Sequence, residues 1–328
     1  MEIDTRFPTK LDTVSDAPEP FRSVLVKSFP AGTPASLLVY APSFPAGDDE
    51  SPATVLAVTK SGWLVATETE EGSVTLEKSD FSATLFLELT AILLLGQLRI
   101  SFTTLDAFHS VTIKFESVWD EFYREAIDLM LAGIDPARPA VDHQNRKEVP
   151  IFKDWPMKFR NEAQRYWPKG QALLTATQWP SIQNAPAAAL LISERELVLI
   201  SEGQKSSTES SLETGSVEEF PDQENSSRAE AAGPGTSEPP SSPHAESADL
   251  DGGTLPGDVS EFAEIVTFIP RVRLANFQVS QQEGLAVLTL MLQAAHGSEK
   301  LEILFPADDE KAVAKAVEQG LLGRSSAT

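Results

Sequence analysis

The chain has 328 residues, with 49 acidic against 26 basic side chains and a formal net charge of −23. This length allows two domains of ordinary size, and a hydrophobic content of 41% can fill two cores. Cysteine is absent, which excludes disulfide scaffolds, thiol nucleophiles and thiolate metal sites. The negative charge disfavours binding to nucleic acid and to anionic membranes, because both depend on neutralising phosphates.

Two segments bear on location. Residues 1–20 mix charges with prolines and lack a basic start followed by an apolar core, so we expect no secretion signal. The most apolar stretch, 85–100, is too short to span a bilayer and contains Glu88 and Arg99, so we expect it to form buried strands. We therefore expect a cytoplasmic protein.

The first predicted domain covers residues 30–135 and follows an N-terminal extension, 1–29. Short apolar or alternating runs, separated by Gly, Ser, Asp and Pro, predict a meander of seven strands. These runs are 37–40, 55–58, 63–67, 74–77, 85–89, 98–102 and 111–115.

A helix is predicted after the seventh strand. Ser117 is its expected N-cap, and Gly133 is expected just beyond its C-terminus. Its apolar face should consist of Trp119, Phe122, Ala126 and Met130.

Residues 136–167 are predicted to form a linker that ends in a short amphipathic helix at 159–167. Between Arg146 and Lys169 there are seven basic and three acidic residues, a local net charge of +4. Five aromatic residues are interleaved with them: Phe152, Trp155, Phe159, Tyr166 and Trp167. This segment could recognise an acidic partner, single-stranded nucleic acid or the chain's own acidic residues. We favour the alternative that the aromatic side chains pack the two domains together while the charges stay in water.

The second predicted domain covers residues 168–328 and is interrupted by an insertion at 203–260. The insertion is rich in Ser, Glu, Pro and Gly, and its two basic and twelve acidic residues give a net charge of −10. Such a composition cannot build a core, so we expect disorder. Strands are predicted at 173–177, 189–192, 197–200, 264–269, 275–279, 285–292 and 300–305. A helix should begin after Pro306, with Val313, Val317 and Leu321 on its buried face.

The two domains repeat one pattern. Pro42 and Ser43 lie 138 positions before Pro180 and Ser181, Val58 and Thr59 lie 134 before Ile192 and Ser193, and the later strands repeat at a spacing of 190, an increase of 56 over the middle spacing. The increase in spacing is nearly the length of the acidic segment, which indicates an insertion between two strands of the second copy.

Seven antiparallel strands followed by one C-terminal helix resemble the pleckstrin-homology-like (PH-like) superfamily, including its bacterial type. The resemblance rests on the order of elements and covers about two thirds of the chain; Trp119 is similar to the Trp common in that family's helix, and the second helix lacks one. It implies an α+β fold of two antiparallel sandwich or barrel units, each closed by a helix. Phosphoinositide-binding members use Lys and Arg near the first strand-to-strand loop, whereas this loop is acidic here, so headgroup binding is disfavoured.

Residues for catalysis or metal binding are sparse. The chain lacks the nucleophile elbow, the phosphate-binding loop and the dinucleotide fingerprint. The acids Asp48, Asp49 and Glu50 are interpreted as a solvated turn rather than a calcium or acid–base site, and His109 and His296 as exposed loop residues. The other histidines, His143 and His244, are equally isolated, so we expect no catalytic, cofactor or metal site.

The favoured interpretation is a non-enzymatic interaction or scaffold protein with a protein partner, bound along a strand edge or a groove beside a helix. The alternative is an enzyme, or an enzyme subunit, with an unrecognised site in the interdomain cleft. A third class, an assembly component, would appear as a stable oligomer. The sequence does not define the oligomeric state.

Overall fold

The structure, a computed structural model, describes residues 6–29, 34–46, 49–105, 107–139, 149–168, 170–182, 185–203, 264–282 and 284–322. The predicted acidic insertion, apart from Gly203, lies outside the described residues. Contacts divide the chain into one unit, Met1–Gln204 with Ser260–Thr328, and a second unit, Lys205–Val259. The first unit contains the described strands and helices of both halves of the chain.

The first half has two groups of strands, with one helix before them and one after. Its strands are β1 (Thr9–Lys10), β2 (Leu37–Ala41), β3 (Phe44–Ala46), β4 (Asp49–Ser51), β5 (Thr54–Val58), β6 (Gly62–Glu68), β7 (Val74–Asp80), β8 (Thr84–Ile92), β9 (Leu95–Thr103) and β10 (Phe108–Glu116). Its helices are α1 (Phe21–Ser28) and α2 (Asp120–Ile134). Short 3-10 turns at Phe81–Ala83 and Ser117–Trp119 precede β8 and α2.

The second half follows the same order. Its elements are α3 (Met157–Tyr166), β11 (Leu173–Trp179), β12 (Ala188–Ser193), β13 (Glu196–Glu202), β14 (Glu264–Pro270), β15 (Leu274–Gln282), β16 (Leu285–Ala294), β17 (Gly297–Pro306) and α4 (Glu310–Leu322). Its 3-10 turns, Arg271–Arg273 and Ala307–Asp309, precede β15 and α4. From β7 and β14 onward, the elements of the two halves begin 190 positions apart, except β10 and β17, which end 190 apart.

The predicted strands are present in both halves, with ends that differ by at most three residues. The coarse fold class, mainly antiparallel β with a few helices, is confirmed. The apolar stretch 85–100 forms strands, as expected. None of the helices in the described residues is long and apolar enough to cross a membrane.

The start of α2 differs from the sequence prediction. Ser117 is not its N-cap; it lies in the preceding 3-10 turn, where its hydroxyl donates to the Leu93 carbonyl at 2.8 Å. Trp119 belongs to the same turn and is half-buried, so it lies outside the helical stripe. The buried face of α2 consists of Tyr123, Ala126, Ile127, Met130, Leu131 and Ile134.

The end of α2 also differs, because Gly133 lies inside the helix. A Cβ at Gly133 would come within 2.2 Å of the Phe81 ring. The glycine is therefore required by the close approach of the helix to the 3-10 turn before β8, and not by a left-handed cap.

The N-terminal extension is part of the repeated pattern. Phe21 and Leu25 of α1 are buried against the outer face of the β2, β5 and β6 layer. Phe159 and Ala163 of α3, 138 positions later, are buried against β12 and β13. Each half thus has a short helix in front of its first long strand, a feature that the sequence prediction included only in the second half.

The sheets are antiparallel throughout. One sheet has the order β1-β2-β5-β6-β7, a second β10-β9-β8-β14-β13-β12-β11 and a third β15-β16-β17, while β3 and β4 form a separate hairpin. One core lies between the first sheet, α2, α3 and one face of the seven-stranded sheet. A second core lies between the opposite face, the third sheet and α4.

We predict that Gly133→Ala destabilises the protein despite the higher helix propensity of alanine. The added methyl group must displace the buried Phe81 ring, and we expect a loss of about 1–3 kcal/mol in the free energy of unfolding. Urea denaturation measures this loss. Glu121→Ala, at an exposed position of the same helix, should have little effect; equal stability of the two variants would contradict the prediction.

Candidate protein-binding edge

The two halves are joined by a ladder between β8 and β14. Its pairs run from Glu264 opposite Ala91 to Phe268 opposite Leu87. Both edges of β14 are consequently occupied, one by β13 and the other by β8. The ladder merges three strands of the first half and four strands of the second half into one sheet.

Strand β7 is the counterpart of β14 in the first half, but it lies at the end of its sheet. Within the described residues it pairs with β6 alone. At the ends of this pair, the Phe81 amide donates to the Ser61 carbonyl at 2.9 Å and the Thr69 amide to the Ser73 carbonyl at 2.8 Å. Hydrogen-bonded pairs alternate along an antiparallel ladder. The backbone groups that point away from β6 therefore include those of Val74, Leu76 and Lys78.

A cleft of about 500 Å³ lies beside β7. It is bounded by Phe29 after α1, by Gly62 at the start of β6 and by Lys78 in β7. Open backbone groups and a cleft are thus adjacent on one side of the first half. An extended segment bound to the edge could place a side chain or a helix in this cleft.

The corresponding place in the second half is filled. Its walls include Trp167, Glu196 and Phe268. These residues are the counterparts of Phe29, Gly62 and Lys78, and they lie 138, 134 and 190 positions later, respectively. Ile127 of α2 and Arg138, which follows α2, also line it, and only about 50 Å³ remains. In the second half, a helix of the first half therefore fills the socket whose counterpart beside β7 is open.

A buried ion pair fixes this helix in its socket. Arg138 Nε donates to Glu196, and Arg138 Nη2 donates to Asp128 Oδ1 at 2.8 Å. The side chains of Arg138 and Glu196 are only 4% and 2% exposed. Burial acts to lower the pKa of Arg138, but the carboxylates of Glu196 and Asp128 raise it above its ordinary value. Gln171 also donates to Glu196, so this contact joins three segments.

The basic segment contributes mainly to packing. Its aromatic side chains are buried or half-buried in the first core, which confirms the favoured interpretation; they are Phe152, Trp155, Phe159, Tyr166 and Trp167. The basic side chains of this segment in the described residues are exposed, as expected, and two of them also form ion pairs. Arg165 pairs with Asp120 of α2, and Lys158 pairs with Glu202 at 2.9 Å. Arg146, Lys147 and Lys169 lie outside the described residues.

Glu264 lies where the inserted residues return to the sheet, opposite Glu202. Burial and the neighbouring Glu162, which also shares a hydrogen bond with it, raise the pKa of Glu264 to about 7, whereas Arg165 and Tyr166 act to lower it. Below neutral pH, Glu264 is therefore largely protonated and can donate to the Glu162 carboxylate.

The remaining candidate residues do not converge on a site in the part of the chain that the structure describes. His109 is exposed, as expected, but it lies within β10 rather than in a loop, and its ring stacks on Phe102 at 5.7 Å. His296 is exposed in the turn between β16 and β17, and Glu50 is exposed in β4. Asp48, His143 and His244 lie outside the described residues, and nothing is described of the Asp49 side chain. Among the described residues, no group of three or more His, Asp or Glu could hold a metal ion.

The open edge was missed in the sequence, although a difference between the two halves points to it. Strand β14 reads Glu-Ile-Val-Thr-Phe-Ile-Pro, whereas β7 reads Val-Thr-Leu-Glu-Lys-Ser-Asp. A near-continuous apolar run is typical of a central strand, and charged residues are typical of an edge.

We predict that Glu196→Ala lowers the free energy of unfolding by about 3–5 kcal/mol, because Arg138 would keep a buried charge without its main partner. Replacing both residues by Met should recover much of this loss, since no charge is then buried. Urea denaturation at neutral pH compares the variants. Lys158→Ala removes an exposed ion pair and should cost less than about 1 kcal/mol; an equal loss in Glu196→Ala would contradict the prediction.

We predict that Glu264 makes the wild type less stable as the pH rises from about 5 to about 8. The raised pKa means that the folded chain binds more protons than the unfolded chain in this window, so stability falls with pH. Glu264→Gln should remove this slope and stabilise the protein by about 1–2 kcal/mol at pH 8. Urea denaturation at both pH values tests it, with Glu71→Gln at an exposed turn as the control. An unchanged slope in Glu264→Gln would refute the assignment.

Comparison of the chain with protein-family models, with curated proteins and with solved structures finds no match. Three features distinguish this edge: the open backbone of β7, the cleft beside it and the filled counterpart in the second half.

Proposed function

We propose that the protein is a non-enzymatic interaction scaffold built from two PH-like units. Apart from β1 and the β3–β4 hairpin of the first half, both halves have four strands, three strands and a helix in the same order, which supports this proposal, as does the sheet shared by the two units. In the proposal the shared sheet fixes the units relative to each other. The absence of cysteine suits a reducing compartment, and a cytoplasmic location is part of the proposal.

The partner is proposed to add an extended strand to β7. One observation carries this proposal: the backbone groups of β14 that point away from β13 are paired with β8, while the equivalent groups of β7 have no strand partner in the part of the chain that the structure describes. Added main-chain hydrogen bonds would provide affinity, and side chains that enter the adjacent cleft would provide selectivity.

Other partner classes have less support. The hairpin of β3 and β4 follows the first long strand, and its Glu50 is acidic and exposed, which disfavours phosphoinositide headgroups. The net charge of −23 disfavours nucleic acid. The alternative of an enzyme with a site between the halves has less support, because the cavities there are small: about 50 Å³ beside the Arg138–Glu196 pair and about 190 Å³ beside Gly96 and Tyr166.

We predict that Lys78→Pro abolishes partner binding while Lys78→Ala preserves it. Proline removes an N–H that points away from β6, so the β6–β7 ladder keeps its bonds and the docking edge loses a donor. The full-length chain and both variants serve as baits in extracts of the source cells, with retained proteins quantified by mass spectrometry. We expect at least a tenfold loss with Lys78→Pro alone.

Circular dichroism and thermal unfolding must show that both variants are folded. Equal retention by all three baits, or retention of no protein by any of them, would contradict binding at β7.

A further inference from the structure

We propose that the strand added to β7 is β15 of a second copy of this chain, so that copies associate head to tail. This inference rests on the proposed function and specifies its partner. Strand β15 is the counterpart of β8, and it lies at the end of the three-stranded sheet. Strands β14 and β8, which pair inside the chain, thus each have a counterpart at a sheet edge: β7 is the counterpart of β14, and β15 is the counterpart of β8.

The internal ladder defines the register of the external one. In the internal ladder each residue of β14 faces one of β8. Subtracting 190 from the β14 numbers and adding 190 to the β8 numbers gives the equivalent pairs between copies: Leu76 of β7 faces Val279 of β15, and Glu77 faces Gln278. Three of the five pairs match, beginning with an apolar pair followed by a carboxylate beside an amide, whereas Val74 faces Gln281 and Lys78 faces Phe277 at the two ends. The third matching pair, Thr75 opposite Ser280, is polar on both sides. No like charges oppose each other over these three pairs.

The cleft beside β7 fits the helix that accompanies β15. Inside the chain, the socket of the second half holds α2, the helix that ends the unit to which β8 belongs. The helix that ends the unit of β15 is α4. Docking β15 in the same manner would bring α4 of one copy to the 500 Å³ cleft of the other.

An ion pair of the internal junction has charged counterparts at this interface. Arg165 of α3 pairs with Asp120 at the start of α2. The equivalent positions are Lys27 in α1, 138 residues before Arg165, and Glu310 at the start of α4, 190 residues after Asp120. Lys27 is exposed, and Glu310 is half-buried and accepts a hydrogen bond from Gln281 of its own chain, so Lys27 would meet a carboxylate that Gln281 already orients.

The external junction should be weaker than the internal one. Glu196, which binds Arg138, has Gly62 as its counterpart, so the buried ion pair cannot form between copies. The contact joins two different surfaces, so it is heterologous and leaves β15 of one copy and β7 of the other open. Association should accordingly be reversible and should extend with concentration.

Engineered cysteines test the register, since the native chain has none. Glu77 and Gln278 are exposed and would form a non-hydrogen-bonded pair, in which Cα atoms lie about 4.5 Å apart, within disulfide range. Full-length Glu77→Cys and Gln278→Cys chains are mixed at increasing concentration under mild oxidation. We expect a disulfide-linked heterodimer, at least tenfold more abundant than that from Glu77→Cys mixed with Gln282→Cys, an exposed position four residues out of register.

A charge exchange provides an independent readout. Lys27→Glu should weaken self-association measured by light scattering at least threefold, and mixing it with Glu310→Lys should restore it. Equal cross-linking in and out of register, a preferred link between two Glu77→Cys chains, or a constant monomer mass would overturn self-pairing. If self-pairing fails while Lys78→Pro still loses captured proteins, the added strand belongs to a different protein and the proposed function stands.

Discussion

The antiparallel ladder between β8 and β14 determines how the described strands and helices of the two halves are arranged. It places strands of both halves in one sheet, so the two cores lie on opposite faces of the same layer. Strand β14 lies in the middle of this sheet with a core on each face, which explains the nearly continuous apolar run from Ile265 to Ile269. The ladder also places α2 next to the second half, because α2 lies over the seven-stranded sheet, which contains strands of both halves. The halves cannot separate without exposing both cores and the Arg138–Glu196 pair.

The sequence predicted most of the local structure, because alternation and apolar stripes report burial within a few residues. The predictions failed where contacts between residues distant in sequence determine the local structure. Gly133 resembles a helix terminator, yet the Phe81 ring requires a glycine there. Ser117 resembles an N-cap, yet the chain first makes a 3-10 turn bonded to Leu93. The open edge could not be located for the same reason: whether β7 or β14 is central depends on which strand of the other half it meets.

The composition of β7 indicates an edge that is protected against unspecific pairing. Glu77 and Lys78 are exposed on it, and charges on an edge strand penalise pairing with apolar strands. Val74 and Leu76 nevertheless pack against the α1 layer, which keeps the strand in place. The high negative charge of the chain adds a general repulsion between molecules. Such an edge favours strands that match its polar and apolar positions, which makes selective binding compatible with solubility.

The internal junction and the proposed one at β7 differ in a few positions and not in the fold. A buried ion pair contributes little net stability compared with apolar packing, but a junction with one of its charges left unpaired is strongly disfavoured. Glu196 and Arg138 therefore act mainly to specify the internal junction, where both partners are always present. Gly62, at the equivalent position beside β7, imposes no such requirement and leaves an open cleft. The same repeated architecture thus has one junction that is permanent and one edge at which association can be reversible.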